Sequence, residues 1–518
     1  MSASDWVEGL KECYLILAPR AIAITLAGEG NRARPHIIFI IADDLGWNDV
    51  GFHGSNQIPT PNIDAMAYSG LILNNYYVTA ICTPSRSALM TGKYPIHTGM
   101  QHAVLYGAEA RGLPLTEKIL PQYLEELGYI NHIVGKWHLG SYKRSYWTGH
   151  QDYFDHTAVE NPGWGLDMRR NMNVAYDLHG QYSTDLFTKE SVKLITNHNT
   201  SSPLFLYLAH AAVHSGNPYD PLRAPDSEIE KFAYIKDYKR QRFAAMLSRL
   251  DYSVGEVVKA LKNKNMLGNS IIVFTTDNGG PAAGFNLNAA SNYPLRGVKN
   301  TLWEGGVRGA ALIWSPLIEQ STRVANQTMH ISDWLPTLVE AAGGTTYDGT
   351  WDNWYGPAGR EYNYSISLVQ NSPAGLALKS LGKAATPQQI QKLRKQANIE
   401  CSTLNKSPVE CRPLKSPCLF NIMQDPCELT NLAADILSVE QSKKKKRVVR
   451  KEGKSLKVKT RDKKNLKYPN ILSKMENILL GYNKTAVPPG NLPLDLRGDP
   501  KYWQYVWTNF GDYLIHSY

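Results

Sequence analysis

The chain has 518 residues, 43% of them hydrophobic, which is enough for one large globular domain and a smaller one. This content excludes an intrinsically disordered protein, and no apolar run reaches the length of a membrane span. The net charge of +10 suggests a polyanion partner, but residues 443–467 hold fourteen Lys and Arg against two acids. That block carries +12 and leaves −2 for the rest, so we expect no nucleic-acid partner and no membrane span.

In chain order, the apolar patterns and the helix start and stop signals predict alternating strands and helices. Residues 1–34 come first and are interpreted as a poor or wrongly assigned leader, because Arg20 interrupts their apolar stretch. The predicted elements are a strand at 36–41, a helix at 61–69, a helix that starts at Pro84 and Ser85, a helix at 116–127 capped by Thr116, a strand at 131–135, a helix at 183–198, a strand at 203–209, a helix at 234–264, strands at 270–276 and 308–314, and a helix at 333–342. This alternation predicts an α/β fold with a mostly parallel central sheet and helices on both faces.

After Gly344 the pattern weakens. Residues 345–436 show few periods, the basic block at about 442–467 is predicted to be disordered, and 468–481 is predicted to be helical. The block is interpreted as a solvated insert or an unspliced fragment of the gene, with nuclear localisation or glycosaminoglycan binding as the alternatives. The chain is thus divided into a leader (1–34), a catalytic domain (35–344) and a C-terminal domain (345–518).

Polar residues follow the predicted strands closely. Since parallel strands present their carboxyl ends at one sheet edge, where ligands bind in such folds, we expect these side chains to share a single pocket. They are Asp43, Asp44, Lys136, His138, His214, Asp277 and Asn278. The carboxylates and the amide oxygen among them suit a hard cation such as Ca²⁺, which prefers six to eight oxygen ligands.

Cysteines divide into scattered and clustered ones. Four lie close together, at Cys401, Cys411, Cys418 and Cys427, and could form a zinc site or two disulfides. Because no Cys-x-x-Cys pair occurs, disulfides and an oxidising compartment are favoured, with the pairing Cys401–Cys411 and Cys418–Cys427. Sequons at Asn199, Asn326, Asn363, Asn405 and Asn483 agree with secretion.

Cys82 stands just before the helix predicted to start at Pro84 and Ser85, where amides and the helix dipole favour negative charge, and Arg86 adds a cation one turn into that helix. Such a cysteine could be a thiolate nucleophile. The spacing Cys82-x-Pro84-x-Arg86 instead resembles the signature of type I sulfatases, in which the cysteine becomes formylglycine. Further motifs of that family, which is alkaline phosphatase-like, stand at residues 41–47, 135–140, 276–280, 295–299, 303–308 and 418–428.

The closest resemblance is to arylsulfatase B and the N-acetylgalactosamine-4-sulfatases. It implies that formylglycine hydrate at position 82 attacks sulfur with one hydroxyl and releases sulfate through the other. It also implies one Ca²⁺ ion held by Asp43, Asp44, Asp277, Asn278 and the modified Cys82. The remaining roles are that Arg86 and Lys136 stabilise the hydrate, His138 accepts the proton released with sulfate, and Lys299 and His214 bind sulfate and protonate the leaving oxygen.

Two departures from the family affect the C-terminal domain, which the resemblance implies is a smaller α+β unit. The chain passes from Gly344 to residues 345–349 without the several dozen residues usual there, and the basic block interrupts the same domain. We therefore expect its sheet to be incomplete.

The sequence thus predicts a lysosomal or secreted sulfatase that reaches its compartment through the endoplasmic reticulum and meets the formylglycine-generating enzyme there. Its predicted substrates are sulfated carbohydrates or aryl sulfates. The alternatives are a phosphate or phosphonate monoester hydrolase of the same superfamily, and an inactive secreted glycoprotein that binds sulfated glycans.

Overall fold

The computed structural model describes residues 33–146, 152–153, 165–216, 219–344, 364–401, 411, 418–433 and 469–514. These residues form two compact units, one made of the described residues up to Ile399 together with those from Pro488 onward, and the other of those within Glu400–Val487. The predicted leader (1–32 of it), the basic block, and the sequons at Asn363 and Asn405 lie outside the described residues. The predicted domain boundaries stay a prediction. None of the described helices combines the length and apolarity that a bilayer span requires.

The centre of the first unit is a seven-stranded sheet. In chain order the strands are β1 (His36–Ala42), β2 (Leu71–Tyr77), β3 (Ile130–Gly135), β4 (Asp152–Tyr153), β5 (Asp167–Arg170), β6 (Asn173–Val174), β7 (Leu204–Ala209), β8 (Ser270–Thr276), β9 (Ala311–Trp314) and β10 (Arg323–His330). The central sheet has the order β10-β2-β9-β8-β1-β7-β3, and β4-β5-β6 form a small separate sheet. Strand β9 runs antiparallel to both its neighbours, and the other central pairs are parallel. The predicted mostly parallel α/β fold is confirmed.

Helices cover both faces of this sheet. The described helices of this unit are α1 (Pro61–Ser69), α2 (Cys82–Thr91), α3 (Leu120–Glu126), α4 (Ser183–Asn197), α5 (Asp226–Ile229), α6 (Tyr238–Asn263), α7 (Glu304–Val307), α8 (Trp334–Ala341), α9 (Ile366–Asn371), α10 (Pro373–Ser380) and α11 (Pro387–Ala397). The second unit, taken by itself, contains α12 (Pro469–Thr485). Strand β1 is buried on both faces, which explains why its sequence is an unbroken apolar run. Ile38 and Ile40 join the core beneath α1, α4 and α6, whereas Phe39 and Ile41 join the core beneath α2, α3 and α8.

Two helix starts differ from the predictions. Helix α2 begins at Cys82 rather than at Pro84 and Ser85, and the Ser85 hydroxyl accepts a hydrogen bond from the Thr79 amide (2.8 Å) instead of capping its own helix. Helix α3 begins at Leu120, so Thr116 is not its cap. The Ser85 side chain is thus used in another contact, and Thr116 lies too early in the chain to cap α3.

The region after Gly344 contains more structure than its weak pattern predicts. Helices α9, α10 and α11 belong to the first unit and pack beside α1. The Ala374 amide donates to Asn62 Oδ1 (3.1 Å), and the Ala385 amide donates to Ser69 Oγ (3.1 Å). Among the described residues after Gly344, the regular elements of three residues or more are helices, which fits the expected shortage of strands.

The disulfide pairing is a correction. The second unit pairs Cys401 with Cys427 and Cys411 with Cys418, each with a Cα–Cα distance of 6.0 Å, so the predicted pairing is wrong. The bridges are nested rather than consecutive, because the fold returns Cys427 to Cys401 and closes the shorter loop inside the longer one. Separation along the chain alone does not reveal such a return.

We predict that peptide mapping of the non-reduced protein will recover Cys401 linked to Cys427 and Cys411 linked to Cys418. Replacing both cysteines of the outer pair by serine should leave the inner pair intact, since nested bridges form independent loops. Recovery of Cys401 linked to Cys411 from protein that had not been reduced would contradict this pairing.

A second prediction concerns two buried acids at the start of α1. Asp251 on α6 accepts hydrogen bonds from the amides of Asn62 (3.0 Å) and Ile63 (2.9 Å), and Asp64 accepts one from the Tyr364 hydroxyl (2.8 Å). Burial raises the pKa of Asp64 and of Asp251 to about 7. Because the folded protein binds these two protons more tightly than the unfolded chain does, the protonated carboxyls stabilise the fold. This stabilisation is complete below about pH 4 and is lost as the pH rises through about 7.

The free energy of unfolding, measured by denaturant titration, should therefore fall less steeply between pH 4 and 7 in Asp251→Asn than in the parent. Asp251→Leu is the matched control. It also removes the titration but leaves buried amides without an acceptor, so it should lower stability at every pH by about 1–3 kcal/mol per amide. An unchanged pH slope in both variants would refute the shifted pKa of Asp251.

Candidate active site

The predicted site residues converge at the carboxyl edge of the central sheet. Asp43 and Asp44 directly follow β1, Lys136 directly follows β3, and Asp277 directly follows β8. His214 lies five residues beyond β7 and Lys299 lies in the loop before α7. Asp43, Asp44, Lys136, Asp277 and Asn278 are fully buried, and Lys299 is almost so. The parallel register thus places side chains from distant parts of the chain in one buried group.

Cys82 is the first residue of α2 and is 1% exposed. Its Sγ lies 3.5 Å from Asp43 Oδ1, as a thiol donor would. Burial raises the pKa of the Cys82 thiol, although Lys136 and Lys299 oppose the shift. The unmodified side chain is therefore a neutral thiol, despite its position at a helix start.

A group of possible metal ligands surrounds this thiol. Asp43, Asp44, Cys82 and His214 each place one ligand atom within 4.8 Å of the others. Asn278 donates from Nδ2 to Asp44 Oδ1 (2.8 Å), while its Oδ1 is buried and finds no hydrogen-bond donor among the described residues. A buried amide oxygen without a donor is costly unless something else satisfies it, and a cation would do so. Sequence reasoning did not anticipate His214 within this ligand group.

Three cations balance the three carboxylates. Arg86 donates to Asp277 Oδ2 from Nη2 (2.8 Å) and Nε (3.0 Å), and Lys299 Nζ lies 2.7 Å from Asp44 Oδ1. Lys136 Nζ donates to Asp43 Oδ2 at 2.5 Å. This network of buried ion pairs fixes the positions of both the candidate metal ligands and the candidate anion-binding groups.

The surroundings shift the pKa values of Asp43 and Asp277 in opposite directions. Burial opposes ionisation of Asp43, but Lys136, His214 and Arg86 outweigh it and hold the pKa of Asp43 well below its usual range. Burial and the neighbouring Asp43 raise the pKa of Asp277 to about 6, against the effect of Arg86. Asp43 is therefore the most firmly ionised acid of this pair.

The two histidines occupy different places. His214 Nε2 lies 3.6 Å from Asp44 Oδ2, and its Nδ1 lies 2.6 Å from the Ser215 carbonyl oxygen. Burial and Lys299 lower the pKa of His214. His138 Nε2 lies 3.0 Å from the Leu105 carbonyl oxygen. Both rings thus have one nitrogen fixed by a backbone carbonyl, which orients the other.

Two threonines that the sequence did not single out hold the site together. Thr276 Oγ1 donates to the Asn278 carbonyl (2.8 Å) and accepts from the Leu45 amide (3.2 Å), which joins the ends of β8 and β1. Thr83 Oγ1 donates to the His138 carbonyl (3.2 Å) and accepts from the Leu105 amide (3.0 Å). Thr83 directly follows Cys82, and Thr276 directly precedes Asp277. Their position beside predicted site residues is the sequence signal that could have indicated their role.

Glycine at position 279 has a steric reason. A Cβ atom there would lie 1.7 Å from the Gly305 carbonyl oxygen, which is much closer than van der Waals contact. The Gly279 amide donates to the Gly306 carbonyl (2.8 Å). The turn that carries Asp277 and Asn278 is therefore pressed against the start of α7 by direct backbone contact.

The structure is an α/β fold with a buried cluster of charged residues and a cysteine at the carboxyl edge of its sheet, and comparison with known proteins identifies the family. The Sulfatase family model matches residues 35–344. The chain is 37% identical to arylsulfatase J of Mus musculus over 93% of this chain and 81% of that protein. It is 30% identical to N-acetylgalactosamine-6-sulfatase of Mus musculus over 62% of this chain and 65% of that protein. The chain belongs to the sulfatase family.

A solved structure has a similar fold. The crystal structure of Ps i-CgsB matches with a TM-score of 0.59 and 25% identity, over 88% of this chain and 94% of that one. The same protein has been solved in complex with k-i-k-neocarrahexaose. The predicted fold and enzyme class are therefore both confirmed.

Proposed function

We propose that this sulfatase hydrolyses sulfate esters of sugars, using a formylglycine made from Cys82 and one Ca²⁺ ion. The observation that carries the proposal is the buried convergence of Cys82 with three carboxylates and three fixed cations at one sheet edge. A sulfate ester is an anion, and such a site offers it positive charge beside the nucleophile position without exposing that position to bulk water.

The donor set fits a hard divalent cation. Asp43, Asp44 and Asp277 offer carboxylate oxygens, and Asn278 offers the buried Oδ1 that has no donor in the described part of the chain. Residue 82, once modified, would add an oxygen in place of sulfur, which makes the set more suitable for Ca²⁺. Bound there, Ca²⁺ would neutralise sulfate charge and polarise its oxygens.

Modification of Cys82 resolves a chemical difficulty. A buried neutral thiol is a weak nucleophile, and a sulfur-bound sulfate would have no internal route of release. A formylglycine hydrate supplies one hydroxyl as the nucleophile and a second whose deprotonation expels the sulfate. The conversion is a two-electron oxidation in which molecular oxygen is the oxidant. It adds one oxygen to the side chain and releases sulfur and two hydrogens as hydrogen sulfide, and we assign it to the formylglycine-generating enzyme.

The surrounding side chains have distinct roles in this proposal. Arg86 and Lys136, which are held by Asp277 and Asp43, orient the hydrate. His138 accepts the proton lost when sulfate leaves. Lys299 and His214 flank Asp44, and from there they bind the sulfate and protonate the leaving oxygen.

Sulfated sugars are the substrate class that the relatives favour. One relative is named N-acetylgalactosamine-6-sulfatase, and one structural neighbour was solved in complex with k-i-k-neocarrahexaose. Two disulfides agree with passage through the endoplasmic reticulum to a lysosomal or extracellular destination.

Turnover of 4-nitrophenyl sulfate by secreted protein tests the proposal as a whole. Faster turnover of 4-nitrophenyl phosphate than of the sulfate would favour a phosphate ester hydrolase. Binding of sulfated glycans without turnover of either ester would favour an inactive lectin-like protein.

We predict that the tryptic peptide containing position 82, taken from secreted protein, will have lost one sulfur and two hydrogens and gained one oxygen. It should react with a hydrazide. Protein made in a cytosol without the modifying enzyme should keep the thiol and be inactive. Secreted protein that hydrolyses 4-nitrophenyl sulfate while retaining only unmodified Cys82 would contradict the mechanism.

For the metal, Asp277→Ala should abolish turnover and lower the bound calcium measured by mass spectrometry, because an anionic ligand is lost. Asp49→Ala is the matched control, since Asp49 is another buried carboxylate paired with an arginine, Arg240 (2.6 Å). Both variants should lose stability, by about 3–5 kcal/mol where the arginine stays buried. Only Asp277→Ala should lose calcium. Full activity of the parent protein after exhaustive chelation would exclude a requirement for calcium.

A further inference from the structure

A cavity of about 550 Å³ lies beside the active site, at the same edge of the sheet. It is lined by His214 and the loop that carries it, by the start of α4, and by residues 166–168 at the start of β5. Because α4 leads into β7 and runs opposite to it, the first turn of α4 lies at the carboxyl end of the strand. The volume falls within the range of about 300–1,000 Å³ that is usual for small-molecule sites.

One short loop separates this cavity from the charged cluster. The Asp43 amide donates to the Ala212 carbonyl (3.0 Å), and the Val213 amide donates to the Asp43 carbonyl (2.7 Å). Ala211, Ala212 and His214 line the cavity. His214 also reaches the cluster, where its Nε2 lies 3.6 Å from Asp44 Oδ2. His214 is therefore the side chain that the cavity and the candidate active site share.

We infer that this cavity binds the sugar part of the substrate, on the alcohol side of the scissile sulfate ester. The inference rests on the proposed function, in which His214 protonates the leaving oxygen. A leaving oxygen within reach of His214 places its carbon skeleton on the His214 side of the sulfate, where the cavity offers space. Lys299 and Cys82 are not part of the cavity lining, so the sulfate itself stays outside it.

The lining chemistry suits a hydroxyl-rich ligand. Ser183, Thr184, Gln181 and His179 provide donors and acceptors around the start of α4, and Phe187 and Met246 provide apolar surface. Arg223 is at the opening, with a side chain 74% exposed and Nε 2.9 Å from Asp220 Oδ2. Sugars present both hydroxyl groups and apolar C–H faces, and a mixed lining of this kind binds both.

The rim favours an oligosaccharide over a single sugar. The Leu166 amide donates to the Tyr505 carbonyl (2.8 Å), so residues 505–507 run beside the rim, and Tyr505 is 64% exposed. Tyr176, 62% exposed, lies two residues before Leu178, which is in the lining. A chain that leaves the cavity would meet exposed aromatic side chains of the kind that are enriched at binding surfaces.

Two variants test the inference. Arg223→Ala removes a charged group at the opening, and Ser183→Trp fills space at the start of α4. Arg497→Ala is the matched control, because Arg497 is similarly exposed (65%) and paired with an aspartate, Asp495, but does not line the cavity. None of these residues belongs to the charged cluster.

The measurement is kcat/KM on two classes of substrate. One is the aryl ester 4-nitrophenyl sulfate, and the other is the sulfated oligosaccharides (disaccharides and tetrasaccharides) prepared from chondroitin sulfate. We expect Arg223→Ala and Ser183→Trp to lower kcat/KM on the sulfated sugars by roughly tenfold or more, the size of effect that lost pocket contacts produce. Turnover of the single-ring aryl ester should stay within about twofold, since lost sugar contacts do not concern it. Arg497→Ala should match the parent on both.

Other outcomes have equally definite meanings. Unchanged sugar kinetics in both cavity variants, with normal aryl ester turnover, would overturn the inference and leave the proposed function standing. Equal losses on both substrates in correctly folded protein, checked by its melting temperature, would also overturn it, because the cavity would not discriminate. A parent protein that hydrolyses neither ester would overturn the proposed function and this inference with it.

Discussion

The burial of six charges at the end of the parallel sheet is the constraint on which the site depends. Asp43, Asp44 and Asp277 are tolerated without water only because Lys136, Lys299 and Arg86 lie against them. Removing one partner of a buried pair costs about 3–5 kcal/mol, because the other charge stays behind without compensation. The pairs therefore contribute little net stability as a set, but they strongly disfavour any other arrangement of the five segments that supply them.

The parallel sheet makes this arrangement possible. Strands β1, β3, β7 and β8 are neighbours that all end at the same edge, so the four loops that follow them deliver side chains into one small volume. Helix α2 completes it, because Cys82 is its first residue and Arg86 lies one turn further on. Backbone contact at Gly279 and the two threonine bridges then fix the loops themselves. Loop residues at this edge behave as rigid parts of the core.

How much the sequence could predict depended on burial and on distance along the chain. Strand β8 was predicted with its observed bounds, since it is buried on both faces and unbroken. Strand β10 was missed because it lies at the sheet edge, where polar residues such as Asn326 are exposed. The strand-end argument found Asp43, Lys136 and Asp277, but Lys299 lies in a loop and was indicated only by the family resemblance. The disulfide pairing depended on a chain reversal that no local pattern encodes.

The burial of Cys82 also constrains when the proposed modification could take place. In the folded protein its side chain is 1% exposed, and Asp43, Lys136 and Lys299 surround it. An enzyme that converts this thiol to an aldehyde must reach the side chain, and α2 and the end of β1 would have to separate to allow this. Separating them would expose the paired charges one by one, each at the cost given above. On the proposed mechanism, conversion of Cys82 must therefore precede folding of the sheet edge, and a chain that folds first would be stable, correctly paired and permanently inactive.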